Sequence, residues 1–443
     1  MRRLFLFLTL AALPAAAAWK AGAAAENISP NEPIWLAGYA SRDKPASEVR
    51  QEIFAKALAI EDSTGAVSVI VTLDLVGIRR DMAEDIASQV TKDHGIPRER
   101  IIFNASHTHS APVVGSAGNY EYRMGADLEK NRAAIARYTA AVREKIVAAI
   151  GRAVRSREAA ALSFEQGFAG FAVNRRRVGH REYPGPVDHD VPVLAVKSTA
   201  GALKAILFGY ACHNTIMADY TIHGDYAGYA QHYLEERHPG AVALFVQGAG
   251  ADSNPLPRRK PEQLQRYGAT LADAVDEVLG KNMKPVEGRL RAAMETVEVR
   301  FAPHTKAEFE QRAKSSDERD RRHAERQLAQ LAKEGKLIET HPYPIQAWRF
   351  GDTFTLTTLA GELVVDYSLR IKSNYGWDTT WVAGYSNDVF GYIPSARVLK
   401  EGGYEGGDAF YFGSFPGHFA PDIEDRIWAG VGRAFERTGA AGK

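Results

Sequence analysis

The stretch VSVIVTLDLVGIRRDMAEDIASQVTKDHGIPRERIIFNA, residues 67–105, changes its apolar pattern twice along its length. Residues 67–78 are rich in β-branched side chains and leucine, which is typical of a buried strand. Residues 81–94 carry apolar side chains at helical spacing and end before a glycine and a proline, and residues 101–105 are again strand-like. This succession of strand, helix and strand favours an α/β fold.

The same alternation continues along the rest of the chain. Long amphipathic helices are predicted at residues 131–155 and 422–435, and the densely charged residues 306–336 predict a solvated helix or helical hairpin. A helix is also predicted at residues 228–236, and strands are predicted at 34–38, 54–61, 160–164, 191–197, 205–211, 242–247, 346–350, 353–359 and 380–384. No repeat or linker divides the sequence, so we expect one large α/β domain over residues 20–440. Its mixed β-sheet would be flanked by helices in three layers.

The first residues have the layout of a secretory signal peptide. Two arginines precede an apolar run at residues 4–13, which a proline and a stretch of alanines follow. That run is shorter than the ~20 residues of a membrane-spanning helix. We expect residues 1–18 to be removed by cleavage near Ala17 or Ala18, and the mature protein to lie in the periplasm or outside the cell.

Charge and cysteine content narrow the function classes. The chain has 55 basic and 54 acidic residues, so it lacks the excess positive charge of a nucleic-acid-binding protein. Cys212 is the only cysteine, so a disulfide within the chain is excluded. Because a lone cysteine beside a histidine is more often a packed residue than a ligand, Cys212 is left out of the predicted site.

Two histidine motifs follow predicted strands. Ser106-His107-Thr108-His109-Ser110 comes directly after residues 101–105, and His213 comes after residues 205–211. Strand ends are where open α/β sheets place their ligands, and neutral imidazole is a good zinc ligand. Histidines that only make structural hydrogen bonds fit the first pattern equally well.

Two loops could contribute to the same site. Residues 247–255, QGAGADSNP, form a glycine-rich turn whose backbone could approach a ligand closely, although an ordinary surface turn remains open. The turn lacks the lysine and spacing of a phosphate-binding loop, which argues against a nucleotide ligand. Asp225 either orients a ligand histidine or caps the helix that follows it.

Together these segments resemble the catalytic domain of the neutral/alkaline non-lysosomal ceramidases, zinc enzymes that hydrolyse the amide bond of ceramide. The resemblance runs from about Ala21 to the last helix. It rests on the His-Thr-His-Ser segment, the strand-end histidine, a Gly-Glu pair and a Ser-Asn-x-x-x-x-Tyr-Ile segment at residues 386–393. It implies one zinc ion per chain, held by His107, His213, Glu362 and Tyr392.

The resemblance also implies which residues surround the reacting centre. His109 would lie beside the substrate carbonyl group, and Arg175, in the pair Asn174-Arg175, would help to hold it. Tyr404-Glu405 falls at the family's spacing from the ligand tyrosine. We therefore expect His109 and Arg175 to stabilise the oxyanion.

The sequence departs from the family in its glycine-rich turn. The family has Gly-Asp-x-Ser-Pro there, and its serine is tied to attack on the amide. In this chain Asn254 stands at the serine's position, and Ser253 stands one residue earlier. Because asparagine has no hydroxyl group, zinc-activated water becomes the expected nucleophile, with Ser253 as the alternative. Asp252 is expected to shape the turn and Asn254 to position the substrate.

A second departure is that the chain ends where the ceramidases continue into an immunoglobulin-like domain. The expected function is a secreted, zinc-dependent hydrolase of a carbon–nitrogen amide bond, with a small-molecule or lipid amide such as ceramide, a sphingolipid, as substrate. Contact with a membrane surface is compatible with such a substrate. A zinc-dependent esterase or deacylase, and a non-catalytic secreted zinc protein that binds a ligand, are the alternatives.

Overall fold

The computed structural model describes residues 19–178, 184–413 and 415–442, without the side chain of Asn119. The predicted signal peptide, residues 1–18, lies outside the described residues. The strands of the larger sheet are β1 Trp19–Asn27, β2 Phe54–Glu61, β3 Val67–Leu73, β4 Ile101–Ala105, β5 Glu158–Phe168, β6 Asp190–Ser198, β7 Leu203–Tyr210, β8 Val242–Gln247 and the short β9 Lys284–Pro285.

The larger sheet is mixed, with the order β8-β7-β6-β5-β1-β2-β3-β4, and β9 also pairs with β5. Neighbouring strands run antiparallel through the middle, while β3 with β4 and β7 with β8 are parallel. Those two parallel pairs include the strands that the histidine motifs follow. A mixed α/β fold is therefore confirmed.

A second sheet contains four strands in the order β10-β11-β12-β13. They are β10 Leu290–Arg300, β11 Thr340–Phe350, β12 Phe354–Leu359 and β13 Thr380–Ala383. Two-residue or three-residue ladders join Glu48–Val49 to Thr221–Ile222, Ala172–Asn174 to Ser253–Pro255, and Glu362–Leu363 to Tyr392–Ile393.

Helices cover the outer faces of both sheets. They are α1 Arg80–His94, α2 Leu128–Arg155, α3 Asp225–Arg237, α4 Glu262–Leu279, α5 Lys306–Arg312, α6 Glu318–Glu334, α7 Val365–Tyr375 and α8 Ile423–Thr438. Shorter α-helical segments are Glu121–Met124, Ala396–Glu401 and Gly403–Gly406, and 3-10 turns are Arg98–Arg100, Gly118–Tyr120, Gly125–Asp127, Arg175–Arg177 and Asp408–Phe412. None of the described helices is long and apolar enough to cross a bilayer.

The two sheets stack face to face, so the fold has four layers and the predicted three layers are wrong. Phe164 of β5 and Phe354 of β12 stack with ring centroids 3.9 Å apart in the core between the sheets. α1 and α2 pack on the outer face of β2 to β4, α3 and α4 on that of β6 to β8, and α8 on the second sheet. The sequence did not predict a second sheet, because the pattern of a strand does not indicate which sheet the strand joins.

The structure also differs from the predicted elements in other places, and neither β10 nor α7 was predicted. β1 is rich in alanine, which has low strand propensity, and α4 was not predicted although it is strongly amphipathic. Residues 34–38 form only isolated bridges, from Ile34 to Ala46 and from Leu36 to Pro112. Residues 306–336 do form the helical hairpin, as α5 and α6, with Thr305 and Asp317 capping the two helix starts.

Candidate metal centre and cavity

The structure brings the four predicted zinc ligands together. His107 follows β4 and His213 follows β7, while Glu362 follows β12 and pairs with Tyr392 in a two-residue parallel ladder. Glu362 Oε2 lies 3.1 Å from His107 Nε2 and 3.3 Å from His213 Nε2. The Tyr392 hydroxyl lies 3.3 Å from His213 Nε2. Both sheets therefore supply side chains to one cluster.

Backbone hydrogen bonds turn these residues toward the cluster. His107 has a φ of 63°, in the left-handed region, and its N–H donates to the Leu75 carbonyl at 2.9 Å. The N–H of His213 donates to the Ser253 carbonyl at 3.0 Å, and that of Glu362 to the Gly391 carbonyl at 2.8 Å. A non-glycine residue held at positive φ is strained, and such strain concentrates at functional sites.

Contacts behind the two histidines decide which nitrogen faces the cluster. His107 Nδ1 lies 2.6 Å from the Val76 carbonyl oxygen, and His213 Nδ1 lies 2.7 Å from the Gly250 carbonyl oxygen. A carbonyl oxygen only accepts, so each ring carries a hydrogen on Nδ1, and the tautomer with a single ring hydrogen presents the lone pair of Nε2. Glu362 Oε2, buried between them, has no hydrogen-bond donor among the described residues.

This donor set fits a metal ion. Two nitrogen lone pairs and a carboxylate oxygen about 3 Å apart repel one another unless a cation lies between them. Imidazole nitrogens and carboxylate oxygens are zinc ligands, and backbone carbonyls behind the rings fix the tautomer that binds a metal. The fit comes from the chemistry of these residues.

Burial and mutual contact set the charge states. Burial, followed by the charge of Arg175, lowers the pKa of His213 to about 4. Burial raises the pKa of Tyr392 well above 10. Near neutral pH the centre therefore holds a neutral His213 and an un-ionised Tyr392 hydroxyl.

His109 is a third histidine at the centre. Its Nε2 lies 3.0 Å from His107 Nε2, and the ligand nitrogens of His107, His109 and His213 all lie within 4.8 Å of one another. Burial and the neighbouring histidines lower its pKa well below 6.5, so its ring is also neutral. A three-histidine set is thus a second possible arrangement of metal ligands, and it shares two members with the predicted set.

A glycine holds His109 in place. Gly38 has a φ of 95°, and a Cβ atom there would lie 2.4 Å from His109 Cγ. The ring of Tyr39 packs against His109 with centroids 4.7 Å apart. Sequence reasoning missed both residues, because nothing in the pattern around residues 34–38 marks them as neighbours of a histidine motif.

Arg175 contacts the predicted ligand tyrosine. Its Nη2 donates to the Tyr392 hydroxyl at 3.0 Å, and its Nε donates to Glu405 Oε1 at 2.6 Å. Glu405 Oε2 also accepts from Arg176 at 2.8 Å. Burial would raise the pKa of Glu405, but Arg175 outweighs it and the pKa is lowered. Arg175 is absent from the described residues that line the cavity, whereas His109, Tyr392 and Tyr404 line it.

The glycine-rich turn is tied to two other segments. Asp252 Oδ1 accepts from the N–H of Val365 at 2.9 Å, and its Oδ2 accepts from Asn174 at 3.0 Å. The side chain of Asn254 accepts from the Thr215 hydroxyl at 3.4 Å. The Ser253 hydroxyl is buried and has no partner among the described residues. Asp252 therefore links the turn to the start of α7 and to the short strand of Asn174.

Asp225 and Cys212 belong to the surroundings of the site. Asp225 is the first residue of α3, and its carboxylate accepts from the N–H groups of Tyr226 and Ile216 at 2.8 and 2.9 Å, while Gly224 is the N-cap residue. Burial raises the pKa of Asp225 to about 7 and that of the Cys212 thiol well above 9.

Tyr385 is another buried neighbour that sequence reasoning did not select. Its ring centroid lies 4.6 Å from that of His107, and its hydroxyl has no partner among the described residues. Its φ is 48°, so it is a second strained residue at the centre. Its position directly before Ser386-Asn387 was the available signal.

The candidate metal centre opens into a cavity of about 1330 Å³. His107, His109, Glu362 and Tyr392 form one part of its wall. The apolar part includes Val113, Phe301, Phe390, Phe410, Phe412, Phe415 and Phe419. Arg79, Arg80, Asp81, Asp85 and Arg143 also line it. A cavity of this size and lining can hold a long, largely apolar molecule with a polar group at the centre.

Fold and site together define a mixed α/β protein with a candidate metal centre at the wall of a large cavity. The sequence model of the neutral/alkaline non-lysosomal ceramidases, N-terminal region, matches residues 20–255. The chain belongs to the neutral/alkaline non-lysosomal ceramidase family and is a ceramidase-like hydrolase.

Two solved structures share the fold. The neutral ceramidase from Pseudomonas aeruginosa superposes with a TM-score of 0.72 at 21% identity, covering 96% of this chain and 75% of that one. A ceramidase complexed with C2 gives a TM-score of 0.74 at 18% identity, covering 96% and 76%. No curated protein sequence matches the chain.

Proposed function

We propose that this chain is an exported, zinc-dependent hydrolase that cleaves the amide bond of an N-acylated lipid. One observation carries the proposal. Glu362 Oε2 lies 3.1 Å from His107 Nε2 and 3.3 Å from His213 Nε2, and it accepts no hydrogen bond from the described residues. Tyr392 completes the proposed ligand set. Export rests on the predicted signal peptide at residues 1–18.

Zinc bound there would supply Lewis-acid activation of water and of a carbonyl group. The surrounding residues position the proposed ligands. The guanidinium group of Arg175 donates to the Tyr392 hydroxyl, which stabilises negative charge on that oxygen and fixes the ring. Glu405 holds Arg175 from the other side. Arg175 therefore acts through Tyr392, rather than directly on the substrate carbonyl.

His109 is proposed as the hydrogen-bond donor to the substrate carbonyl oxygen. Its Nδ1 is buried without a partner, so the neutral ring is best accommodated with its hydrogen on Nε2, the nitrogen that faces the cluster. A fixed N–H aimed at the developing oxyanion contributes about 3 kcal/mol in comparable sites. Burial and the neighbouring histidines lower the pKa of His109, so the ring is neutral near neutral pH.

Water is the proposed nucleophile. Asn254 has no hydroxyl group and is engaged with Thr215. Ser253 is on the same short strand, where neighbouring side chains point to opposite faces, and its hydroxyl is buried. Water therefore replaces the family serine as the attacking group.

The substrate class follows from the cavity and the family. The phenylalanine-rich wall suits an acyl chain, and the family makes ceramide the first compound to test. An ester would use the same carbonyl chemistry, so a zinc-dependent esterase or deacylase is the second candidate. Asn254 in place of the family serine favours a third candidate, a secreted zinc protein that binds an acyl lipid without cleaving it.

Metal content and a substrate panel test these candidates together. Mass spectrometry of the purified protein should find about one zinc per chain in the wild type, and none in His107→Ala, His213→Ala and Glu362→Ala. His418→Ala, which removes a cavity histidine outside the cluster, should retain zinc. Amides and esters with matched acyl chains then separate amidase from esterase, and inactivity with full zinc would favour the binding protein. A wild type without zinc after reconstitution contradicts the proposal.

A further inference from the structure

A histidine–aspartate pair lies in the cavity wall outside the metal centre. His341 Nε2 donates to Asp388 Oδ2 at 2.8 Å. The Asp388 side chain is fully buried, and its Oδ1 accepts from the backbone N–H of Arg80 at 3.1 Å, with Arg79 Nε 3.7 Å away. Both carboxylate oxygens have donors, so the imidazole is held in one orientation and one tautomer.

The surroundings of His341 are apolar. The ring packs against Phe390 and Phe415, with centroids 4.3 and 4.9 Å apart, and Phe301 and Phe419 line the same part of the cavity. The His341 side chain is 14% exposed. With Nε2 engaged by Asp388, Nδ1 has no hydrogen-bond partner among the described residues. It is a hydrogen-bond acceptor presented among phenylalanines.

The pair lies within reach of a molecule bound at the centre. The backbone carbonyl of Asp388 accepts from Gly361, the residue before Glu362, at 2.8 Å. Tyr392 lies four positions after Asp388, so their Cα atoms are at most about 14 Å apart. An acyl chain that starts at the metal centre and follows this wall would pass His341.

A structural role explains Asp388 but not His341. Asp388 is explained by its bond to the N–H of Arg80, the first residue of α1. That bond does not require a histidine on β11, and a phenylalanine there would match the neighbouring rings better. The free acceptor atom in an apolar wall is the feature that a structural role leaves unexplained.

We propose that His341, positioned by Asp388, is a specificity subsite that recognises a hydroxyl group on the acyl chain of the substrate. The hydroxyl donates to His341 Nδ1, and the phenylalanines around it hold the chain. The inference rests on the proposed function for the identity of the substrate, an N-acyl amide. It adds that a hydroxylated acyl chain is preferred over a plain one of the same length.

The first test compares hydrolysis of matched amides. The substrates share one amine and one chain length, and differ by a single hydroxyl group placed at successive carbons of the acyl chain. For the best-placed hydroxyl, the wild type should show a higher kcat/KM than for the plain chain. His341→Phe should lower that ratio roughly three- to tenfold, which is the value of one hydrogen bond. His341→Gln keeps an acceptor and should retain part of the preference.

His418→Phe is the matched control. His418 lines the same cavity, but its Nε2 lies 3.7 Å from Asp408, so it has no closely bound carboxylate. This variant should keep the wild-type ratio. An unchanged ratio in His341→Phe, or equal loss in both variants, overturns the proposal.

A binding measurement separates this subsite from the proposed function. Calorimetry on the zinc-loaded protein compares the free plain and hydroxylated fatty acids. A hydroxyl preference that His341→Phe abolishes supports the subsite even if no amide is hydrolysed, in which case only the proposed function fails. Hydrolysis without any hydroxyl preference, in rate or in binding, overturns the subsite and leaves the proposed function standing.

Discussion

At the scale of single residues, the hydrogen bonds from His107 and His213 to backbone carbonyls determine which ring nitrogen faces the centre. Each bond uses the Nδ1 hydrogen, so in the tautomer with a single ring hydrogen the Nε2 atom has none to donate to Glu362. These hydrogen bonds point away from the cluster and leave the Nε2 lone pairs facing Glu362. A cation between these atoms would relieve their repulsion.

Gly38→Ala should displace His109 and lower activity without removing zinc. The new Cβ would lie 2.4 Å from His109 Cγ, far inside van der Waals contact. We expect kcat/KM to fall at least about tenfold, since the oxyanion donor moves. Gly115→Ala is the control, because Gly115 has a similar φ of 84° but open space around its Cβ. Wild-type activity in Gly38→Ala would exclude His109 from the mechanism.

Ser253→Ala should leave the rate nearly unchanged. The Ser253 hydroxyl is buried without a partner, so its removal costs no hydrogen bond. We expect kcat within about twofold of wild type and stability equal or slightly higher. Ser110→Ala removes another buried, unpartnered hydroxyl and serves as the comparison. Loss of activity in Ser253→Ala alone, with zinc retained, would identify Ser253 as the nucleophile.

At the scale of single elements, a ladder of two residues fixes the relation between two proposed ligands. Glu362–Leu363 pairs in parallel with Tyr392–Ile393, so Glu362 lies opposite Tyr392. Gly361 makes this approach possible: its φ is 71°, and a Cβ there would lie 2.5 Å from Ile393 and 2.8 Å from the Gly391 carbonyl. The glycine of the Gly-Glu pair in the family resemblance is therefore explained by the lack of space for a side chain at position 361.

The start of α3 should make stability depend on pH. Burial raises the pKa of Asp225 to about 7 in the folded chain, against about 3.9 when unfolded. The folded state then binds the proton more tightly, so this contribution to stability is present at low pH and is lost as pH rises through about 7. Between pH 5 and 7.5 the free energy of unfolding should fall by about 2 kcal/mol relative to Asp225→Asn.

Urea unfolding of wild type and Asp225→Asn at both pH values measures that difference. The variant keeps a side-chain oxygen to accept one of the two backbone N–H bonds, which favours folding. A pH dependence that is the same in the two proteins would show that Asp225 does not titrate in this range.

At the scale of the whole molecule, the centre joins the two stacked sheets. His107 and His213 follow strands of the larger sheet, whereas Glu362 follows a strand of the second. Asn104 of β4 strengthens the same junction: it exchanges hydrogen bonds with the backbone of Gln247, at the end of β8, and donates to the Gly384 carbonyl beyond β13. A ligand held by both sheets therefore opposes their separation.

Zinc should consequently stabilise the fold as a whole. A ligand that binds only the folded chain adds about 4 kcal/mol at a thousandfold excess over its Kd. Urea denaturation should show a stability gain of this order between chelator-treated and zinc-loaded wild type. His213→Ala should show little gain. Equal gains in both proteins would place the bound zinc elsewhere.

The sequence by itself determined the α/β class, most strands and helices, and the residues that meet at the centre. Periodicity is a local property, so residues 101–105 and 242–247 were predicted with the bounds that the structure gives. The proposed ligands could be selected because His107, His213 and Glu362 each follow a strand, and all four keep the order found in the family. Their roles as zinc ligands remain predictions.

Only the tertiary structure decided the stacking of two sheets, the cavity, and the contacts of Gly38, Tyr385 and His341. Each depends on atoms from segments far apart in sequence, and no local pattern records which strand faces which. β1 shows the same limit, since an alanine-rich segment becomes a strand through its pairing with β2 and β5. Local propensity selects elements, whereas side-chain packing between them selects neighbours.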